Sequence, residues 1–164
     1  MGERRGWSLT ELEFTERAQK ARGKLYRAAL LTLGSQTAAI DAVDEAVYKG
    51  YLSYHKLRQP QFFDTWLVRI LINVCRDELR RRSRELAVER LPETAGEDFD
   101  ALPLKEAIRR LPEELREVII LRYFSGFTLE ETAQTLGLPR GTVSTRQRKA
   151  LALLKLDLTE EGVS

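Results

Sequence analysis

With 164 residues the chain has room for one domain or two small ones, and 43% hydrophobic residues support packed cores rather than a disordered polymer. A single cysteine, Cys75, and a single histidine, His55, exclude a disulfide framework and a Cys/His zinc site. The net charge is only +2, but it is sorted: Arg69 to Arg84 carries +4, Arg140 to Lys155 carries +5, and 85–101 between them carries −5. Such sorting points to a polyanion gripped at two places, with nucleic acid the obvious candidate.

No apolar run approaches the roughly 18 residues of a membrane span. Met1 to Trp7 has arginines but no apolar stretch behind them, so it does not read as a secretory signal. The expectation is a soluble, cytoplasmic protein with no direct membrane insertion.

Helix signals dominate from the N-terminus onward. Ser8 or Thr10 caps a helix that Gly34 ends, with Leu25, Ala28, Ala29 and Leu33 as its apolar stripe. A second helix covers about 36–54, burying Ala39, Val43, Ala46, Val47 and Gly50 and turning Asp41, Asp44 and Glu45 away. His55 to Gln61 reads as a loop broken by Pro60. A third helix covers about 62–82, with Phe63, Trp66, Leu67, Ile70, Leu71 and Val74 as its buried face and arginines in its last turns, where cations suit the helix dipole. Cys75 reads as a small buried hydrophobe.

Residues 85–101 read as a flexible acidic linker, with Pro92, Gly96 and no sustained period. A short helix at about 104–111 follows. Pro112 opens the next, which carries Leu115, Val118, Ile119 and Tyr123 and ends near Gly126. Two more helices cover 128–136 and about 139–156, and 158–164 reads as a frayed tail. The fold class is therefore all-α: two small helical domains, 8–84 and 102–158, joined by the linker.

The segment 128–150 carries the clearest motif. Thr128-Leu-Glu-Glu131 is a capping box, Gly137 supplies the positive φ that closes the helix, and Pro139 starts the next. Val143 is the inward anchor, and Ala150, Leu151 and Leu154 continue its buried side. This is helix-turn-helix spacing, with Arg140, Gly141, Thr142, Ser144, Thr145, Arg146, Arg148 and Lys149 placed to meet a DNA major groove.

The segment 51–84 mixes aromatics with arginines, a combination that suits unpaired strands, since bases stack on rings and cations follow phosphates. Phe63 and Trp66 read as core at this spacing. Asn73, a polar residue in an apolar stretch, is either a base-edge partner or an ordinary surface amide.

Together these runs resemble the extracytoplasmic-function group of the sigma-70 family. Phe63-Asp-Thr-Trp66-Leu-Val-Arg69-Ile-Leu-Ile-Asn73-Val-Cys-Arg-Asp77-Glu-Leu-Arg80-Arg81-Arg82, Leu25-Tyr-Arg and Ile40-Asp41-Ala-Val-Asp44-Glu45-Ala are similar to conserved region 2. Leu111-Pro112-Glu-Glu, Leu121-Arg122-Tyr-Phe, Leu129-Glu-Glu-Thr-Ala and Gly141-Thr142-Val143 are similar to region 4. The resemblance covers about 22–84 and 102–156 in the family's order.

The resemblance implies a transcription initiation subunit that binds core RNA polymerase through its beta and beta-prime subunits. It implies that the first domain reads and melts the −10 element of promoter DNA and the second binds the −35 element, while the linker threads the polymerase. Carried over residue by residue, it places Asp41, Asp44 and Glu45 at the core polymerase. It places Ile70 and Asn73 in a pocket for a flipped base and the loop around Lys56 to Gln61, with Arg58, at the −10 DNA, and Arg140 to Lys149 at the −35 DNA; Arg69, Arg76 and Arg80 join the −10 set as the cations beside the aromatics. Asp44 stands where many members have Gln, Ser144 where Lys or Arg is common, and Gln147 where an apolar residue is usual. The resemblance also implies an anti-sigma factor, often membrane-anchored in this family.

Two other readings compete. A stand-alone helix-turn-helix regulator explains 128–150 but leaves 40–84 unexplained. A nucleic-acid enzyme needs clustered carboxylates or an activated nucleophile, and Asp77 and Glu78, adjacent on a helix, project differently. The expectation is no enzyme activity, no catalytic residues, no metal and no cofactor.

Overall fold

The computed structural model describes residues 8–85 and 102–160. Among them every regular element is helical: α1 (Glu11–Leu33), α2 (Gln36–Ser53), α3 (Phe63–Arg84), α4 (Leu102–Arg110), α5 (Glu113–Ile119), α6 (Leu129–Leu136) and α7 (Arg140–Glu160). Apart from Glu85, the expected linker lies outside the described residues.

Local chemistry sets the ends of these helices. Thr10, not Ser8, caps α1: its hydroxyl accepts from the Glu13 amide at 3.1 Å, and the Thr10 amide donates to the Glu13 carboxylate at 2.9 Å. Gly34 closes α1 at φ 75, a backbone region that only glycine enters at no steric cost. Ser35 then caps α2 by accepting from the Ala38 amide at 3.2 Å. Gly50 lets α2 approach its neighbours, since a Cβ there would meet Leu67 at 3.0 Å and Phe14 at 3.4 Å.

The expected stripes of α1 and α2 are buried except Val47, which is half-buried; Leu25, Ala29, Ala39 and Ala46 have no exposure. In α3 Cys75 is buried as expected, but the stripe is broader: Val68 and Ile72 are buried too, whereas Trp66 and Ile70 are only half-buried. The reason is tertiary: α1 and α2 pack on α3 from one half of the chain and α6 from the other, so no single face is the inside.

The helix expected from Pro112 to Gly126 is not uniform. After α5, residues Ile120–Phe124 form a π turn, with the Ser125 amide donating to the Ile120 carbonyl at 2.9 Å. The extra residue in that turn shifts the register. Ile120 and Leu121 become fully buried, and Tyr123, expected on the buried face, is 52% exposed. Helix α7 also runs past the expected Leu156 to Glu160, so Leu158 belongs to the helix rather than to a frayed tail; 161–164 lie outside the described residues.

The two halves pack against each other. Helix α1 meets α4 and the π turn, and α3 meets α6.

Candidate nucleic-acid interface

The helix-turn-helix is built from α6, its turn and α7. Thr128 and Glu131 form the capping box, with the Glu131 amide 3.0 Å from the Thr128 hydroxyl and the Thr128 amide 2.9 Å from the Glu131 carboxylate. Gly137 ends α6 at φ 69, and the Leu138 amide returns to the Ala133 carbonyl at 3.0 Å. Val143 and Ala150 are fully buried and Leu154 nearly so, which fixes the inward line of α7. Arg140, Gly141, Thr145, Arg148 and Lys149 are then exposed, while Thr142, Ser144 and Arg146 are half-buried. Leu151, expected on the buried side, is 41% exposed, because the core beneath α7 takes the line through 143, 150 and 154 and leaves 151 off it.

One residue outside the expected set holds this unit together. Arg122, on the π turn, donates through Nε to the Gln147 side-chain oxygen at 2.7 Å and through Nη1 to the Phe127 carbonyl at 2.6 Å. Three segments are joined at one guanidinium, and Gln147 faces this partner rather than filling an apolar site. Arg146 lies 3.8 Å from Glu114, and Arg148 donates to the Ser144 hydroxyl at 3.3 Å.

On α2, Asp41, Asp44 and Glu45 are all exposed. Asp44 pairs with Arg22 of α1, and Glu45 lies 3.7 Å from Lys49 one turn on. Asp41 and Glu45 edge a cleft of about 750 Å³ whose other wall includes Glu78, Arg81, Arg82 and Arg109.

The segment before α3 is more ordered than a loop. It forms two 3-10 turns, Tyr54–Lys56 and Pro60–Phe62. Arg17 donates to the Pro60 carbonyl at 2.7 Å, and Phe14 packs its ring 5.2 Å from Tyr54 and 5.7 Å from Phe63. This anchoring leaves Lys56, Arg58 and Gln61 exposed on a fixed backbone. Asn73 is exposed on α3 and Ile70 half-buried.

The arginines of α3 are largely engaged within the chain. Arg80 pairs with Asp77, Arg81 with Glu78 and Glu85, and Arg82 with Glu78 and the Leu33 carbonyl. Burial works to raise the Glu78 carboxyl, but hydrogen bonds from Arg81 and Arg82 outweigh it and hold the group below the usual range. Arg69 donates to the Gln134 carbonyl of α6. Arg76 grips Glu117 of α5 at 2.6 and 3.1 Å, and that hydrogen-bonded pairing raises the guanidinium above its ordinary value against the opposing effect of burial. Glu117 escaped the sequence reading. Its signal was an acid inside the apolar run Leu115 to Leu121, where an unpaired carboxylate would be costly.

Among the described residues no group of His, Cys, Asp or Glu is arranged to hold a metal ion, and no helix is long and apolar enough to cross a membrane.

Comparison with known proteins covers both halves. The sequence profile of "Sigma-70 region 2" matches residues 18–85 and that of "Sigma-70, region 4" matches 107–156. The chain is similar to RNA polymerase sigma factor SigV of Bacillus subtilis, at 32% identity over 144 residues, 85% of this chain and 87% of that protein. It is also similar to the RNA polymerase sigma-E factor of Streptomyces coelicolor, at 29% identity, covering 90% of this chain and 86% of that protein. Among solved structures it resembles the sigma factor RpoE of Bartonella quintana in complex with the anti-sigma factor NepR. That match has a TM-score of 0.82 and 25% identity, and covers 89% of this chain and 96% of that one.

Proposed function

The chain belongs to the sigma-70 family as an extracytoplasmic-function RNA polymerase sigma factor, and from that premise we propose how its surfaces divide the work. As a sigma factor it directs promoter-specific transcription initiation and is not an enzyme. The division proposed is 8–84 for core polymerase and the −10 element, 85–101 as a linker in the polymerase channel, and 102–158 for the −35 element. The acidic linker suits a path that nucleic acid would otherwise take, because like charge keeps it from binding DNA.

Asp41, Asp44 and Glu45 offer exposed carboxylates on one helix to a basic partner on core polymerase. Lys56, Arg58, Gln61, Arg69, Ile70, Asn73, Arg76 and Arg80 form the −10 surface. Aromatic anchoring of the 54–62 segment gives it a fixed edge, and the amide of Asn73 offers both donor and acceptor to an extruded base. The −35 surface is Arg140 to Lys149, whose cations and hydroxyls stand outside the line of Val143 and Ala150. Initiation takes place at polymerase, so the chain works in the cytoplasm. An anti-sigma factor is its proposed regulator, on the support of the NepR-bound relative; any membrane attachment belongs to that partner.

The observation that carries this division is the presence, on one chain, of an exposed acidic face on α2 and a helix-turn-helix with an outward basic face. A stand-alone regulator accounts only for the second. The experiment is reconstitution with core RNA polymerase and a promoter library. Specific initiation is expected, and Asp41→Lys with Glu45→Lys should lose core binding. Retained core binding by that double variant would remove the α2 assignment.

A further inference from the structure

We propose that a cleft between the C-terminal turns of α1 and α3 and the helices α4 and α5 binds a compact phosphate-class anion, free phosphate or pyrophosphate, on the guanidiniums of Arg109 and Arg116. None of the cleft's residues belongs to the sets proposed above for DNA or for core polymerase, so the site is independent of that reading.

The cleft encloses about 510 Å³ and is lined by four arginines, Arg82, Arg109, Arg110 and Arg116, against one carboxylate, that of Glu106. Two of the four are already matched. Arg82 donates to the Leu33 carbonyl at 2.8 Å and to Glu78 at 3.1 Å, and Arg110 forks onto Asp157 at 3.0 and 3.2 Å.

The other two are left over. Arg116 donates through Nη1 to the Arg109 carbonyl at 2.9 Å, but its Nε is shut off from solvent and has no hydrogen-bond partner. A buried donor without an acceptor costs its desolvation with no return. Burial pushes the Arg116 guanidinium below its ordinary value; Glu113 and Glu117 oppose the fall and Arg109 adds to it. The Arg109 guanidinium is exposed and has no acceptor among the described residues. It lies flat against the backbone of Gly34, where a Cβ would stand only 2.5 Å from Nη2 and 2.8 Å from Nε. Glycine at that helix end therefore gives the guanidinium its place.

Two like charges face one cleft, one of them half-buried and incompletely hydrogen-bonded. An oxyanion matches them better than a halide does, because several oxygens on one centre suit the fixed fork of a guanidinium. Its charge also compensates the delocalised cation of Arg116 without reaching the enclosed Nε. Leu33 and Leu79 supply apolar lining, which lowers the local dielectric and strengthens the attraction. Glu106 opposes an anion, and that opposition gives the test a second sign.

The full chain is titrated with inorganic phosphate and with pyrophosphate by isothermal calorimetry, at fixed ionic strength in a phosphate-free buffer. Saturable one-to-one binding is expected. Ligand at about a hundredfold over Kd should raise the unfolding midpoint by about 5–11 °C. Arg109→Met, at an exposed position, should weaken binding about tenfold or more, and Arg116→Met should do the same. Glu106→Gln should tighten it about threefold, a gain that damaged folding cannot imitate. If Arg116→Met fails to fold by circular dichroism, Arg109→Met and Glu106→Gln carry the test. A short single-stranded oligonucleotide, matched in phosphate concentration, should not displace pyrophosphate. Displacement would give the site to nucleic acid and overturn the proposal. No saturation by about 1 mM pyrophosphate overturns it too, as does binding that Arg109→Met and Glu106→Gln both leave unchanged, since that is adventitious binding to basic surface elsewhere.

Discussion

Replacing Arg122 with Met keeps the length of the side chain and removes both of its hydrogen bonds. The acceptors it leaves are unequal. Gln147 is half-buried and can turn its amide to water, but Phe127 is 4% exposed, so its carbonyl is stranded. A hydrogen bond to a charged group contributes about 1.5–3 kcal/mol. Half-exposure of Arg122 discounts the Gln147 bond, and the Phe127 bond keeps most of its value, so a loss of about 2–3 kcal/mol is expected. For a chain of this size each kcal/mol lowers Tm by about 2–4 °C, so the midpoint should fall by about 4–12 °C. Thermal unfolding followed by circular dichroism at 222 nm, a wavelength characteristic of helices, would measure it. Because Gln147 lies on α7, the helix proposed to read the −35 element, duplex binding should weaken as well. Arg122→Lys should recover only part of both effects, since one ammonium cannot span two acceptors held in a fork. A midpoint within about one degree of the parent, on the same scale of 2–4 °C per kcal/mol, would refute the clamp.

Three further expectations follow from the same geometry. Arg146→Ala should lower the slope of log affinity against log salt for −35 duplex by about 0.9, one phosphate contact, and an unchanged slope would leave Arg146 as a partner of Glu114 alone. Asn73→Ala should change base preference at the −10 element with core binding intact; an identical promoter profile counts against Asn73 as a base-reading residue. Burial pushes the Cys75 thiol up from its ordinary 9.0 to about 12, with Glu78 adding and Arg82 opposing. The folded chain then holds a proton that the unfolded chain releases above pH 9.0, so this group's stabilisation is complete below that pH and is lost as pH climbs towards about 12. At pH 8 a thiol reagent should label Cys75 only after denaturation, and prompt stoichiometric labelling of the native chain would contradict its burial.

Much of the helical frame was legible because its signals are local. The Thr128–Glu131 capping box needs only residues three apart, and Gly34 and Gly137 mark left-handed backbone that other residues avoid. Val143 could be read as an anchor because the turn before it fixes the phase of α7. Where a second surface packed on a helix, the single-face reading failed. Trp66 falls on the stripe that helical period predicts yet is only half-buried, in a helix packed by α1, α2 and α6 rather than from one side. Tyr123 was assigned from an uninterrupted α-helical period, and a π turn moved it into solvent.

The sequence by itself determined the helical class, the order of the elements and the identity of the charged surfaces, since periodicity, caps and composition act within a few residues along the chain. It could not determine which of those charges stay available. Arg76 and Glu117 are 41 positions apart and Arg69 and Gln134 are 65 apart, and their pairing follows from how two helical units dock. Docking is decided by the summed fit of whole faces, including the register shift of the π turn, which leaves no periodic trace near any one residue. Only the tertiary structure turned two cationic side chains of α3 into the partners of a buried carboxylate and a helix-end carbonyl.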